Sequence, residues 1–149
     1  METLVRLLRR EHCSLVVRDA AGNVTLYHKQ GVRDLEDLLD HAPASLRGAE
    51  LADKVVGKAA AGMMVVGGVR QIYAEVMSRL ALPLLDGAGI SYSFGQLVDH
   101  IVIAKGDDRC PLEKIVGPCQ TAEEVVATLR AHFNKMKQIR DENTLCKQH

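Results

Sequence analysis

The chain has 149 residues, enough for one domain that buries a full core without disulfides. Its 19 basic and 19 acidic side chains balance, so no overall field points to nucleic acid or to a membrane surface. Hydrophobic residues make up 47%, which excludes a disordered chain, and 3% aromatics with no Trp leave no stacking platform for single-stranded nucleic acid.

Leu4 to Glu11 reads as a helix. Leu4, Leu7 and Leu8 interleave with Arg6, Arg9 and Arg10, which is amphipathic spacing and not the continuous apolar core of a signal peptide. Ser14 to Arg18 and Val24 to His28 are short β-rich runs, joined by Asp19-Ala20-Ala21-Gly22-Asn23 into a hairpin with a longer loop. Val32 to His41 follows as a helix with Leu35, Leu38 and Leu39 inward, closed by Pro43. A central helix is expected over Asp53 to Val66, with Asp53 as its cap and Gly67-Gly68 as its stop.

Gln71 to Met77 reads as a strand, Leu80 to Asp86 as a short helix, and Ile90 to Phe94 and Ile101 to Ala104 as two further strands. The strand–helix–strand segment from Gln71 to Phe94 favours a parallel pair. Asp107 to Cys110 is a loop leading to a helical turn at Pro111. Thr121-Ala122-Glu123-Glu124 is a capping box, after which Val125, Leu129 and Phe133 run down one helix face. Residues 134–149 form a polar tail expected to fray. The whole reads as one α/β domain with a mixed sheet flanked by helices, its core over about residues 13–133.

No apolar run approaches the roughly 20 residues that span a bilayer; the longest, Ala59 to Val69, lies between Lys58 and Arg70. The cysteines at 13, 110, 119 and 146 have no disulfide-framework spacing. A reducing, cytoplasmic setting without a membrane is the expectation.

The segment from Ala52 to Gly62 carries the chief functional signal. Lys54 and Lys58 lie one turn apart at the start of the expected helix, ahead of small, packable residues. The amides from Val55 to Gly57 add to a site for a phosphate or a carboxylate. On this reading Asp53 is an ionised cap and a poor general acid, and Gly57 admits close approach of a ligand. Glu75 is a charge inside a strand, expected to pair with a lysine of the pocket or, if the strand is half exposed, simply to face outward. Ser78 and Arg79 offer a further anion contact, although capping by the serine hydroxyl also accounts for Ser78. Cys110, before a helix start, is a candidate reactive thiol, although no histidine is placed by motif to activate it and a structural cysteine accounts for it as well. Lys58, Glu75 and Cys110 are therefore the candidates for catalysis.

The segments Ala52-Asp53-Lys54-Val55-Val56-Gly57-Lys58-Ala59-Ala60, Ile72-Tyr73-Ala74-Glu75-Val76 and Cys110-Pro111-Leu112-Glu113-Lys114 resemble a small prokaryotic family of uncharacterised proteins. That family has a three-layer cytidine deaminase-like fold without the deaminase zinc motif. The resemblance implies a pocket where two helix starts converge, near Asp53 and near Ser78. Zinc deaminases need His/Cys-x-Glu and Pro-Cys-x-x-Cys. Here the corresponding positions read Asp53-Lys54-Val55 and Ser78-Arg79-Leu80, so no zinc or other cofactor is expected. The resemblance implies a nucleotide or nucleoside-phosphate ligand. An enzyme of another class in the same pocket, or an interaction module forming a homo-oligomer, are the alternatives.

Overall fold

In the computed structural model the protein is described over residues 1–29, 32–101 and 111–147, with the backbone alone for 111 and 144–147. Five strands form one mixed sheet in the order β2-β1-β3-β4-β5. β1 (Leu15–Arg18) pairs antiparallel with β2 (Val24–Tyr27) and with β3 (Glu50–Val56), while β4 (Gln71–Ser78) and β5 (Ser91–Val98) add parallel to β3. The hairpin loop is fixed by the Asp19 carboxylate, which accepts the amides of Ala21 and Asn23 at 3.0 and 2.9 Å; Gly22 takes the positive φ of 94° that the turn needs.

Helices cover both faces. α1 (Glu2–Arg10) lays Leu4 and Leu8 on Val16, Ala52 and Tyr73. The opposite face holds the larger core, where α3 (Lys58–Gly67) is buried from Ala59 to Met64 against Leu15, Leu51, Ile72 and Ala74. α2 (Arg33–His41), α4 (Leu82–Gly87), α5 (Pro111–Val116) and α6 (Ala122–Lys147) close around it. A helix placed centrally in this way must be apolar all round, and Ala-Ala-Ala-Gly-Met-Met meets that demand. α3 ends on Gly68, whose φ of 79° is the left-handed cap expected from Gly67-Gly68.

The expected hairpin, α2, β4, the short helix before β5 and the parallel pairing are all present. The capping box is present too: Thr121 Oγ1 accepts the Glu124 amide at 3.1 Å, and the Glu124 carboxylate returns to the Gln120 amide at 2.9 Å.

Two expectations need correction. The central helix does not start at Asp53. Residues 50–56 are strand, because Asp53 is paired on both sides, with Leu15 and with Ala74, and Val55-Val56 is a β-branched pair suited to a sheet. The polar tail does not fray at residue 134, since α6 continues to Lys147. No Gly or Pro interrupts residues 122–147, and Lys135, Gln138, Arg140 and Glu142 are good helix formers. The strand expected at Ile101 to Ala104, past Ile101, and the loop Asp107 to Cys110 lie outside the described residues.

Candidate functional site

Because β1 runs antiparallel to β3, the start of β1 and the end of β3 share one edge of the sheet. A cavity of about 330 Å³ opens there, lined by Ser14 just before β1, Asp53 and Val55 from β3, Gly57 and Ala60 around the start of α3, and Leu112 and Glu113 from α5. Val32 and Ile101 add to its largely apolar wall. Ligands of open α/β sheets gather at this carboxyl edge. The volume is at the lower end of small-molecule sites, which run from about 300 to 1,000 Å³.

Asp53 is the polar centre of the cavity. It is buried, and its Oδ1 accepts the Val55 amide at 3.3 Å. No cation pairs with it among the described residues. Burial raises its pKa from 3.8 to about 7, against the opposing pull of the Val55 and Lys54 amides, and Asp34 adds repulsion. Asp34, also buried, accepts the Lys29 amide at 3.0 Å, and burial raises its pKa as well. The Ser14 hydroxyl lies 2.7 Å from the Lys29 carbonyl and 3.1 Å from that of Tyr27. The expectation of an ionised, capping Asp53 is overturned. A strand position under α3 removes water from the carboxyl, so it changes charge near neutrality.

Glu113 supplies the cap that Asp53 does not. It is 2% exposed, its Oε1 accepts the Lys58 amide at 3.3 Å, and its Oε2 accepts the Ile101 amide at 2.7 Å. Gly57, the residue before α3, has no side chain of its own to cap the helix. A carboxylate from another helix therefore occupies the amide position where an anionic ligand was expected.

The other residues singled out in the sequence disperse. Lys58 points out of the cavity, and its Nζ donates to the carbonyls of Gly117 and Cys119 at 2.9 and 2.5 Å. Lys54 follows Asp53 on the strand, is exposed, and makes no hydrogen bond or ion pair with its side chain among the described residues. Its charge favours ionisation of Glu75 and Cys13, both on the α1 side. The two lysines are not one turn apart on a helix, since one is on β3 and the other begins α3.

Glu75 does not pair with a pocket lysine. Arg9 Nε binds its Oε1 at 2.7 Å, the Tyr73 hydroxyl donates to its Oε2 at 3.1 Å, and Arg9 holds the carboxyl below its usual pKa. This network sits beside a more open cleft of about 700 Å³ between α1 and the sheet, where Tyr73 and Ser93 are joined by Arg6, Arg9 and Arg10. Ser78 is fully buried, its Oγ accepting the Leu80 amide at 3.1 Å, and Arg79 pairs with Asp99 at 3.0 Å. Neither lines the Asp53 cavity. Cys110 lies outside the described residues. Of the expected ligand-binding residues, the cavity thus gathers Asp53, Lys54 and Gly57.

Sequence reasoning gave no role to Glu113, Asp34, Arg9 or Tyr73. The signal for Glu113 was its place in Cys110-Pro111-Leu112-Glu113-Lys114; nothing local shows that it reaches Lys58. Among the described residues no three His, Cys, Asp or Glu side chains group to hold a metal ion, and no helix is long and apolar enough to cross a membrane.

Fold and site together define an α/β domain with a small, mostly apolar cavity at the carboxyl edge of its sheet. The chain belongs to the family described as a domain of unknown function, DUF1893 (TM1506), which matches residues 3–133. It is similar to the crystal structure of a DUF1893 family protein (TM1506) from Thermotoga maritima, with 25% identity, 88% of each chain covered and a TM-score of 0.79. No curated protein is recognisably similar to it in sequence.

Proposed function

We propose that the protein binds a nucleoside or a related small heterocycle in the Asp53 cavity, on a cytidine deaminase-like scaffold. The observation that carries this reading is the buried Asp53 carboxyl, unpaired with any described cation, in a largely apolar cavity of about 330 Å³. A carboxyl near half-ionisation at neutral pH accepts N–H groups from an amino or amide edge, and in its neutral form donates to a ring nitrogen. The apolar walls suit the faces of a flat ring. The strand order β2-β1-β3-β4-β5, with β1 reversed, supports the scaffold assignment.

The phosphate of a nucleotide has less support than the base. The first amide of α3 is taken by Glu113 and Lys58 is turned to carbonyls, which leaves Lys54 as the cation at the mouth. Asp53, Lys54, Ser78 and Arg79 do not fit a zinc site, because they lack the His and Cys donors it needs.

A second reading is proton transfer at Asp53, favoured by a carboxyl that titrates near the operating pH. Lys58 and Glu75 are weaker acid–base candidates because both are engaged elsewhere. The test is amide chemical-shift perturbation with nucleosides, nucleobases and nucleotides. Shifts confined to Asp53, Val55, Gly57, Ala60 and Ile101 support the site. Perturbation only at Arg6, Arg9 and Ser93 would move it to the α1 cleft and reject the reading.

A further inference from the structure

The polar side chains around the Asp53 cavity are mostly acceptors. Asp53 is 8% exposed; its Oδ1 accepts the Val55 amide, and no side chain among the described residues donates to the carboxyl. Ser14 lines the same cavity, because Leu15 is the register partner of Asp53. Its Oγ lies 2.7 Å from the Lys29 carbonyl and 3.1 Å from that of Tyr27. A hydroxyl whose proton is spent on a carbonyl meets an occupant as an acceptor. Both Glu113 oxygens already hold amides, those of Lys58 and Ile101. Lys54 is the one cationic side chain among the described residues that line the cavity. Burying a carboxyl with so few donors is costly, and an occupant that brings N–H groups of its own lowers the cost.

A carboxylate holds two oxygens in one plane and takes two parallel N–H donors at once. Among the common bases only guanine presents two N–H groups side by side, N1–H and the 2-amino group. The second proton of that amino group adds a further donor, for which Ser14 is an acceptor. Adenine and cytosine set a ring acceptor next to their amino group, and uracil sets one N–H between two carbonyls. Each of these turns a lone pair toward a carboxylate oxygen. We propose that Asp53 selects a guanine-type edge, its carboxylate receiving N1–H and the 2-amino group while Val32, Ile101 and Leu112 cover the ring. This selectivity rests on a nucleoside occupying the Asp53 cavity. Two N–H donors also hold the carboxyl in its ionised form, since a neutral carboxyl sets its own proton against one of them. Guanine O6 is an acceptor, and Lys54 at the mouth offers it a donor. A base that lacks one of the two N–H groups leaves a buried oxygen unmet, so rejection comes from desolvation as much as from lost attraction.

Titration calorimetry at pH 8, above the Asp53 pKa of about 7, tests this with guanosine, inosine, adenosine, cytidine and uridine. Guanosine should bind the wild type about tenfold or more tightly than inosine, which lacks only the 2-amino group, and than the other three. Asp53→Asn should lose that preference and favour xanthosine, whose 2-oxygen accepts from the asparagine amide. Circular dichroism checks that the variant is folded, and the inosine comparison needs the wild type alone. Inosine or cytidine binding as tightly as guanosine overturns the choice of guanine and leaves a nucleoside in the cavity. A guanosine preference that persists in Asp53→Asn overturns it too, since another residue would then read the base. If no nucleoside binds, the nucleoside site and its selectivity fall together.

Discussion

The Glu113 carboxylate on α5 receives the backbone N–H of Lys58, 55 residues earlier in the chain, at 3.3 Å. The same group takes the Ile101 amide at 2.7 Å, so one buried side chain ties the start of the central helix to the chain leaving β5. The geometry also explains Gly57, where a Cβ would meet Glu113 Oε1 at 2.7 Å and Ile101 Cγ1 at 3.2 Å. Oε1 is the end of a side chain, yet its hydrogen bonds leave it little freedom to move. Gly57→Ala should cost about 1–3 kcal/mol through overpacking. Glu113→Ala should cost a similar amount, because two part-buried amides lose their acceptor. In the double variant the alanine at 57 should cost clearly less than it does alone, as denaturant unfolding of all four cycle members would reveal. Additive costs would mean that the two residues do not communicate.

Asp53 makes stability depend on pH in an unusual direction. Its folded pKa, about 7, exceeds the unfolded 3.8, so between these values the unfolded chain holds fewer protons than the folded one. Stability should therefore fall as pH rises from about 4 to about 7, and Asp34 acts in the same direction. The full shift corresponds to an upper bound on the order of 4 kcal/mol, at about 1.36 kcal/mol per pKa unit. Asp53→Asn should match the wild type near pH 4, exceed it at pH 8, and flatten the profile. Urea midpoints across this range are the measurement; equal slopes for the two proteins would show that Asp53 does not carry the effect.

A similar contact joins α3 to α6. A Cβ at Gly62 would lie 2.4 Å from Val125 Cγ1 and 2.7 Å from its Cβ, with both residues in the core. Gly62→Ala gains helix propensity of up to about 1 kcal/mol but forces the two helices apart, so the net should be a loss of about 1–2 kcal/mol. Val125→Ala in the same chain should recover part of it. Thermal unfolding that finds Gly62→Ala more stable than wild type would show that the helices separate freely.

Local chemistry made most of the fold legible. Asp19 to Asn23 marked the hairpin, Gly67-Gly68 the end of α3, and Thr121 to Glu124 the start of α6. The Asp53 boundary misled because Asp-Lys-x-x-x-Lys has the local form of a capped helix start. Pairing with Leu15 and Ala74 overrode it, and neither partner is near in sequence. The site was legible in location more than in chemistry. Segment 52–62 does border the cavity, but Lys58 is held by Gly117 and Cys119, and Glu75 by Arg9, across separations of 59, 61 and 66 residues. Such partners leave no periodicity or spacing to read. Burial of Asp53, which sets its charge, follows only once α3 lies over the strand.

Titration calorimetry with a panel of nucleosides, comparing wild type, Asp53→Asn, Lys58→Met and Glu75→Gln, tests the central claim most directly. At least one nucleoside should bind the wild type. Asp53→Asn should weaken it by roughly tenfold or more, the scale of about 1.5–3 kcal/mol for a hydrogen bond to a charged group. Lys58→Met and Glu75→Gln should leave affinity within about twofold, since neither side chain faces the cavity. Binding that is lost with Lys58 or Glu75 and kept in Asp53→Asn would contradict the account, as would a panel that binds nothing.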